Sequence, residues 1–426
     1  MSLRMRRGSQ PTGQAQTFGP LLGAQWVRDH AVPGAVTVFA GTAGVDFTQL
    51  NPANSQATNQ AAISNDTTSK VWWPKGTYAT AGTGFNTKAG QEHRLEAPAG
   101  AARSAANSAV LPASGVYCMQ TQPGGGESIK GGLFQSATSY GIVNNGSGVT
   151  VEDGVYELCS TGILIQSNSM SIRRSVFRSN TRYGLSQSTG ANLLVENCEI
   201  KDNNTAHNNP ELDAGGLKFG GQAVTYRSNW SHLNYGMGFW MDYAFGSHII
   251  EENVQEDNGK GGIFYEKGTG DDEGTASAVI RRNYCKNNGS LSGFAAQQII
   301  ASRCDGAALG GTGFEIYLNY IDQTDGYGAA LYLHDTVSSD ETNKARVHDN
   351  DIWMRGSALG ICGATSADSV HIFSGAADNQ FTTNHYHIPN TTAARWLWNG
   401  VPGGTNKTFS QWQALGKDTA GSVVLI

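Results

Sequence analysis

Three ionisable residues recur at a constant interval in the middle of the chain. Lys218, Asp242 and Glu266 are 24 residues apart, which is one coil if the chain winds in coils of that length. Strands of neighbouring coils lie about 4.8 Å apart, so the three side chains are expected to form one outward row. Such a row either carries chemistry or is an ion-pair stack that only distributes charge over the surface.

Two reactions suit these residue types. Carboxyl groups about 5 Å apart match the spacing in retaining glycosidases, where the charge of one keeps its neighbour protonated. Alternatively, a lysine that readily gives up its proton could abstract the proton beside a uronate carboxylate, as a polysaccharide lyase does. The sequence therefore leaves both a glycoside hydrolase and a lyase open, with Lys218, Asp242 and Glu266 as catalytic candidates.

Aromatic residues accompany this row. Trp240 and Phe264 occupy neighbouring outward positions, and large exposed rings are typical of a surface that binds something. Sugar rings stack on aromatic faces while polar groups bind their hydroxyls, so a polysaccharide is the expected partner. The row is expected to continue with Gln297 and Tyr332, which makes four candidate substrate-binding residues.

A histidine and an acidic loop bear on the same chemistry. His232, in Ser231-His-Leu-Asn, is the first choice among the histidines for an acid/base, although a turn histidine more often only makes hydrogen bonds. Asp271-Asp272-Glu273 could hold a Ca²⁺ ion that neutralises a uronate, or could be a solvated loop. We predict no metal ligand beyond that. The six scattered cysteines, without a C-x-x-C pair, are expected to be buried thiols.

A repeated pattern defines the elements that must hold these residues. Short segments share a β-branched or aliphatic residue, two polar residues, a small or amide residue, and a further apolar residue. The fourth positions are predicted to stack as a ladder: Gly132, Gly154, Ser175, Asn197, Asn229, Asn253, Asn283, Asn319 and Asn350. Coils of 21–24 residues with insertions account for the spacing, which predicts an all-β fold, a single-stranded right-handed parallel β-helix.

Glycine followed by an aliphatic or aromatic residue begins another strand of each coil. In Gly262-Ile-Phe-Tyr-Glu266, strict alternation predicts that Ile263 and Tyr265 point inward, and that Phe264 and Glu266 point outward. This assignment is what places the candidate row on the outside of the stack.

The two ends of the chain lack the repeat. We predict an N-terminal arm over residues 1–45, an entry and cap region over 46–120, the β-helix over 121–375, and a C-terminal cap over 376–426. The end segment Phe409-Ser-Gln-Trp-Gln-Ala-Leu-Gly416 is predicted to form a short helix. Caps are expected because an uncovered first or last coil would expose the edge of a sheet.

Composition excludes several partners. The net charge is −6 and no basic stripe is present, which disfavours nucleic acid. No apolar run approaches the roughly 20 residues of a membrane span. The basic start Met1–Gly8 has no apolar stretch behind it, so we expect either a leader that was removed or a protein that needs none, as in a virion.

From about Lys70 onward the sequence resembles bacterial right-handed parallel β-helix proteins of the pectate-lyase-like superfamily. The segments that carry the resemblance are Trp73-Pro-Lys-Gly-Thr-Tyr78, Tyr140-Gly-Ile-Val-Asn-Asn145, Ala214-Gly-Gly-Leu-Lys-Phe219, Gly238-Phe-Trp-Met-Asp242, Gly262-Ile-Phe-Tyr-Glu266 and Gln411-Trp-Gln-Ala-Leu-Gly416. The resemblance implies a secreted or surface protein of carbohydrate-active type. The paired-Asp signature of polygalacturonases and the Asp-Pro-His motif of alginate epimerases are not matched, so neither specificity carries over.

We therefore expect a polysaccharide-degrading enzyme that binds its glycan along the outer face of the β-helix and works outside the cell. The alternative is a non-catalytic adhesin or a phage tail protein that uses the same groove. Residues 1–69 lie outside the resemblance, which leaves room for an arm that attaches to a virion. Tail depolymerases of this architecture are trimers, so the expected state is either a monomer or a homotrimer.

Overall fold

A computed structural model describes most of the chain. The described residues are 19–37, 47–80, 83–104, 106–212, 215–242, 246–266, 276–291, 293, 296–304, 314–324, 329–335, 342–356, 361–366, 371–375, 377–390, 394–399 and 406–426. Within these ranges the strands form three parallel sheets of 13, 12 and 13 strands. The described helices are Gly19–His30, Gln56–Asn65, Phe409–Ala414 and the single 3₁₀ turn His371–Phe373.

Each sheet takes one strand from every coil, and neighbouring strands pair in parallel. Sheet 1 consists of Thr48–Gln49, Lys70–Trp73, Glu92–Leu95, Ser128–Gly131, Thr150–Glu152, Ser171–Arg173, Leu194–Glu196, Thr225–Arg227, Gly246–Glu251, Ala276–Arg281, Phe314–Tyr317, Ala345–His348 and Gln380–Thr382. Sheet 2 consists of Phe85–Asn86, Tyr117–Gln120, Tyr140–Asn144, Thr161–Ile165, Tyr183–Gln187, Leu217–Phe219, Phe239–Met241, Ile263–Glu266, Ile299–Ser302, Leu331–Asp335, Cys362–Ser366 and Leu397–Asn399. Sheet 3 consists of Gly76–Thr77, Ala109–Pro112, Leu133–Gln135, Val155–Glu157, Val176–Arg178, Glu199–Lys201, Trp230–His232, Val254–Glu256, Tyr284–Lys286, Tyr320–Gln323, Asp351–Met354, His385–Ile388 and Ser422–Leu425.

From Lys70–Trp73 to Leu397–Asn399 the chain passes repeatedly from sheet 1 to sheet 3 to sheet 2, which confirms the predicted parallel β-helix. Alternate residues of all three sheets point inward and form one continuous apolar core. Inside it, Phe134, Tyr156 and Phe177 stack with ring centroids 4.8 and 4.9 Å apart. All six cysteines are buried in this core, as the sequence predicted.

An asparagine ladder follows the corner between sheet 1 and sheet 3. From Glu152 onward a residue with a left-handed backbone turns this corner in each coil, for example Glu252 with φ 59°, and the ladder residue follows it. The Nδ2 atom of Asn253 donates to Tyr226 O and to Asn283 Oδ1, both at 3.0 Å. The same bonds confirm the predicted ladder from Asn229 to Asn350 and extend it through Asn384 to Asp418.

Asn197 is not part of this ladder, and that prediction is wrong by one residue. Asn197 is itself the left-handed corner residue, with φ 53°, a conformation that asparagine tolerates better than most residues. Cys198 takes the ladder position, and its backbone N–H donates to Asn229 Oδ1 at 3.0 Å.

A second amide ladder, which the sequence reading missed, follows the corner after sheet 3. Asn234 Nδ2 donates to Asn258 Oδ1 at 2.9 Å, and Asn258 Nδ2 donates to Asn288 Oδ1 at 2.8 Å. The whole ladder is Asn180, Asn203, Asn234, Asn258, Asn288, Gln298 and Gln323. Two ladders therefore stabilise two of the three edges of the stack.

The sheets extend beyond both predicted boundaries of the repeat. Strands within 46–120 and within 376–426, the segments predicted as caps, belong to the same three sheets. The helix Gln56–Asn65 lies on the first strand of sheet 2, where Gln60 binds both the N–H and the C=O of Asn86, at 2.8 and 2.9 Å. At the other end the helix Phe409–Ala414 forms as predicted, with Trp412 buried in the core.

The described part of the predicted arm is bound to the outer face of sheet 3. Val27 of the helix Gly19–His30 packs with Val254 and Tyr284. Arg28 makes a bidentate ion pair with Glu256, at 2.6 and 3.1 Å. This helix therefore covers apolar outward residues of sheet 3 rather than extending away from the stack.

The outer face of sheet 1 carries a row of alternating charge. Arg227 and Arg281 both pair with Glu251, at 2.6 and 2.7 Å. From Lys130 onward this row alternates in register from coil to coil: Lys130, Glu152, Arg173, Glu196, Arg227, Glu251 and Arg281. The side chain of Glu251 is only 6% exposed, whereas the more exposed pairs of the row contribute little stability by themselves. The alternation places opposite charges on neighbouring coils.

Candidate functional site

The segments that connect the strands, which form the corners of the β-helix, vary more in length on the two sides of sheet 2 than between sheets 1 and 3. From Glu152 onward, two residues connect each strand of sheet 1 to the next strand of sheet 3. The connections into sheet 2 range from three residues between Glu157 and Thr161 to 15 between Lys201 and Leu217. The connections out of sheet 2 vary similarly. Because binding residues concentrate on variable loops held by a rigid scaffold, a binding site is expected on sheet 2.

A cavity of about 750 Å³ lies on the outer face of this sheet. We call it the Asp242 cavity; residues that line it include Asn168, Arg182, Tyr183, Ser186, Ser188, Lys218, Gln222 and Asp242. The strands Tyr183–Gln187 and Leu217–Phe219 supply its floor, and residues of the corners that follow them supply one side. Hydroxyl, amide and charged groups thus converge on one open space.

Lys218 is held at this cavity by three contacts. Its Nζ atom lies 3.2 Å from Asp242 Oδ2, donates to Leu212 O at 2.6 Å, and stands 3.8 Å from the centroid of the Trp240 ring. A carboxylate, a carbonyl and an aromatic face are all partners of a cation. The arrangement favours a lysine that orients Asp242 and attracts an anion over one that accepts a proton.

The predicted single row of Lys218, Asp242 and Glu266 is wrong by two residues. Lys218 pairs in register with Trp240, which lies 22 residues further along the chain. The coil that separates these two strands is therefore shorter than the assumed repeat of 24 residues. Trp240 pairs with Phe264, so Asp242 and Glu266 belong to the next outward row. Lys218 reaches Asp242 diagonally across that shift.

Trp240 and Phe264 point outward as predicted, but they are not exposed. The exposed fraction is 5% for Trp240 and 0% for Phe264. Their rings stack with centroids 5.5 Å apart, in an apolar cluster outside sheet 2 that also contains Met237 and Ile300. The expectation of an open aromatic platform fails because an outward position on a β-helix can still be covered.

Glu266 is bonded inside this cluster. Its Oε2 atom accepts a hydrogen bond of 3.1 Å from Trp240 Nε1, and its Oε1 atom forms an ion pair with Arg303. Only 8% of its side chain is exposed, against 19% for Asp242. Asp242 is therefore the carboxylate of the pair that lines the cavity.

His232 and Gln297 are not brought to the Asp242 cavity. His232 lies on sheet 3, where its ring stacks on Trp230 at 3.9 Å and its Nε2 atom is 3.1 Å from Glu199 Oε1. Gln297 precedes the strand Ile299–Ser302, and Ser302 takes the place after Glu266 that was predicted for Gln297.

Tyr332 points outward next to Ile300, in the row of Lys218, Trp240 and Phe264, and does not follow Glu266 as predicted. It packs against the outer apolar cluster, and burial raises the pKa of its hydroxyl. The acidic run Asp271-Asp272-Glu273, the possible Ca²⁺ site, lies outside the described residues.

Comparison with known proteins agrees with this architecture. A family model described as a right-handed beta helix region matches residues 122–273. The chain is a right-handed parallel β-helix. A search of curated proteins finds no match to this β-helix.

Three solved structures resemble this β-helix. The catalytic unit of a thermostable α-1,3-glucanase from Streptomyces thermodiastaticus matches with TM-score 0.52 and 11% identity, over 91% of this chain and 70% of that chain. The tailspike protein of E. coli bacteriophage HK620, in complex with a pentasaccharide, matches with TM-score 0.50 and 12% identity, over 82% and 66%. A pectate lyase matches with TM-score 0.43 and 16% identity, over 73% and 81%. At such identities the likeness concerns the fold.

Several polar residues on this face of the β-helix were missed by the sequence reading. Ser302 and His334 continue the row of Glu266 on the next two coils. Burial, and then the nearby positive charge of Arg303, lower the pKa of His334 to about 4, so its ring is neutral near pH 7. The long insertions before and after these strands hid their register in the sequence.

The described part of the β-helix contains no cluster of three or more His, Cys, Asp or Glu side chains that could hold a metal ion. Within the same ranges, no helix has the length and apolar character that crossing a membrane requires.

Proposed function

We propose that this β-helix is a polysaccharide-degrading enzyme, either a lyase or a glycoside hydrolase, that binds its glycan along sheet 2 and cleaves it beside Asp242. One observation carries the proposal. The Lys218–Asp242 pair lines a cavity on the sheet whose flanking corners vary in length. We place the protein outside the cell or on a virion tail, where such polymers are found.

Asp242 is the acid/base of this proposal. Lys218 binds its Oδ2 atom, and the described contacts leave Oδ1 to exchange a proton with a substrate. In a lyase, Asp242 removes the proton beside the uronate carboxylate, the C–H electrons form a double bond, and the glycosidic oxygen leaves and takes up a proton. In a hydrolase, Asp242 transfers a proton as water replaces the leaving sugar.

The charges at the cavity favour an anionic glycan. Arg182 and Lys218 line it with only one described carboxylate, Asp242. Cations bind carboxylates with charge-assisted hydrogen bonds, so a uronate fits this lining better than a neutral sugar. That substrate class favours the lyase over the hydrolase.

The test is turnover of a panel of acidic and neutral polysaccharides by wild type and Asp242→Asn. We expect reducing-end release to fall about 100-fold or more in the variant, the size of a general acid/base contribution. Ultraviolet absorbance of unsaturated uronate ends identifies a lyase, and its absence from released products identifies a hydrolase. Unchanged release by Asp242→Asn would remove Asp242 from the mechanism.

The matched control is Glu157→Gln on sheet 3. Glu157 pairs with Arg178, and their side chains are 17% and 25% exposed, close to 19% and 23% for Asp242 and Lys218. The control loses an equivalent ion pair on another face, so its turnover should equal that of wild type.

A glycan-binding protein without activity is the second candidate, and the state of Glu266 favours it. A two-carboxylate hydrolysis needs a second open acid, but Glu266 is bonded to Trp240 and Arg303. Binding of a polymer with no product from wild type, and with weakened binding in Asp242→Asn, would establish recognition instead of cleavage.

A further inference from the structure

A second cavity lies at the opening coils of sheet 2. Its volume is about 760 Å³. We call it the Asn145 cavity; its lining includes Gln60, Ser64, Asn86, Thr87, Lys88, Gln120, Gln122 and Asn145. The helix Gln56–Asn65 contributes Gln60 and Ser64, while the other residues stand at the ends of successive sheet 2 strands or just after them. No role in the function proposed above uses this cavity.

The two cavities lie on the same outward row of sheet 2. Gln120, Val143, Leu164, Ser186 and Lys218 are partners in register on five successive strands. Four strand spacings therefore separate Gln120 of the Asn145 cavity from Lys218 of the Asp242 cavity, roughly 19 Å. A linear polymer that follows the row passes over both cavities.

The row that runs through Val143 and Leu164, between the cavities, to Ser186, at the near side of the Asp242 cavity, suits a sugar chain. Val143 is nearly buried, while Leu164 and Ser186 are half-buried. They offer a short apolar strip and one hydroxyl on a flat sheet, and the apolar face of a sugar ring packs on such a strip. None of these three side chains is large enough to block the row.

The Asn145 cavity has the chemistry of a hydroxyl-binding site. Four of its lining side chains on sheet 2 and its corners are amides, and each amide both donates and accepts hydrogen bonds. Among the described contacts, the side-chain amides of Gln122 and Asn145 have no bond to protein, and Lys88 Nζ donates to Asp66 O at 3.1 Å. The described lining contains no carboxylate, so it offers binding without acid/base chemistry.

We propose that the Asn145 cavity is a distal subsite that binds hydroxyl-rich sugar residues of the same glycan that reaches Asp242. The proposal rests on the function proposed above, because it requires a glycan on sheet 2. It assigns the protein a preference for long chains, since a short oligosaccharide in the Asp242 cavity does not extend over four strands. The distal subsite adds affinity and takes no part in the bond cleavage.

The experiment compares a polymer with short oligosaccharides of the same glycan, using wild type and the double variant Gln122→Ala/Asn145→Ala. We expect KM and the dissociation constant for the polymer to rise about tenfold, because each lost hydrogen bond contributes a factor of a few. The kcat value and all constants for the short oligosaccharides should stay at wild-type values. Gln135→Ala is the control: this glutamine lies in the same coil but on sheet 3.

The outcomes separate this subsite from the proposed function. If wild type binds a polymer without cleaving it, the proposed enzyme falls, and weaker polymer binding by the double variant still supports the subsite. Equal polymer binding by the double variant and wild type overturns the subsite alone. If wild type binds no polysaccharide of the panel, both proposals are overturned.

Discussion

Trp240 Nε1 donates a hydrogen bond of 3.1 Å to Glu266 Oε2, and this bond joins the buried outer cluster to the cavity. On one side, Glu266 is anchored by Arg303. On the other, the face of the Trp240 ring supports Lys218 Nζ, which pairs with Asp242. An unbroken series of contacts therefore connects Arg303 to Asp242 through Glu266, Trp240 and Lys218. Glu266 and Trp240 act in this arrangement as positioning residues for the charged pair.

The positioning role predicts that Trp240→Phe reduces kcat by more than the accompanying loss of folding stability accounts for. Phenylalanine keeps most of the ring but loses the bond to Glu266, so Lys218 and Asp242 lose their fixed support. We expect kcat to fall at least about tenfold, since small displacements near the reacting groups are costly. The free energy of unfolding should fall by about 1–3 kcal/mol for the lost buried bond. Turnover and urea denaturation measure the two effects.

Trp230→Phe is the control for this prediction. Trp230 Nε1 donates to Glu256 Oε2, also at 3.1 Å, on sheet 3. Both variants lose an indole–glutamate bond of the same length, buried at Trp240 and partly buried at Trp230, but only Trp240→Phe should reduce kcat. An equal loss of kcat in the two variants would show that the effect is one of stability.

Lys218→Met should weaken binding of an anionic glycan about tenfold, because a charge-assisted hydrogen bond contributes more than a neutral one. Lys201→Met, which removes one of the two partners of Glu199 described on sheet 3, should leave binding unchanged. Titration of the glycan at low and high salt measures both. Equal salt dependence in wild type and Lys218→Met would show that Lys218 does not meet an anion.

The asparagine ladder between sheets 1 and 3 predicts that substitutions of Asn253 and Asn197 change the free energy of unfolding by very different amounts. Asn253→Ala removes side-chain bonds to Tyr226, Asn229 and Asn283 in the interior. We expect a loss of about 2–4 kcal/mol in the free energy of unfolding, because buried backbone groups lose their partners. Asn197→Gly should be neutral or slightly stabilising, since glycine suits a φ of 53°. Urea denaturation of both variants tests whether Asn197 stands outside the ladder.

The buried position of His93 predicts that the first coils lose folding stability in acid. It is fully buried, its Nδ1 atom accepts from Trp73 Nε1 at 3.2 Å, and its Nε2 atom lies 3.2 Å from Gln91 Oε1. Burial lowers its pKa to about 3, below the value of about 6.5 in an unfolded chain. The unfolded state therefore binds the proton first, so stability is complete above about pH 6.5 and is lost as the pH falls towards 3.

Two measurements check the role of His93. The imidazole signals of His93 in an NMR titration should show a neutral ring at pH 4.5, and a ring that charges near pH 6.5 would contradict the prediction. His93→Gln should reduce the difference in unfolding free energy between pH 7.5 and pH 4.5, even if it lowers stability at both.

The sequence was sufficient for the fold but not for the site. The ladder from Asn229 to Asn350 could be read because asparagines mark one constant corner of two residues. Lys218 was placed in the wrong row because register depends on corner length, and the corners beside sheet 2 vary. Burial of Trp240 was not predictable, since alternation tells which side of a strand a residue occupies but not whether that side is covered.

The alternating charges of sheet 1 impose an even–odd rule on the length of the stack. Deleting one coil between Glu152 and Arg281 would bring two like charges side by side, whereas deleting two consecutive coils would restore contacts of opposite sign. Duplication or loss of coils in this region is therefore expected to be easier in pairs. Between Glu152 and Arg281, the alternation of charge is therefore preserved only when the stack changes by an even number of coils.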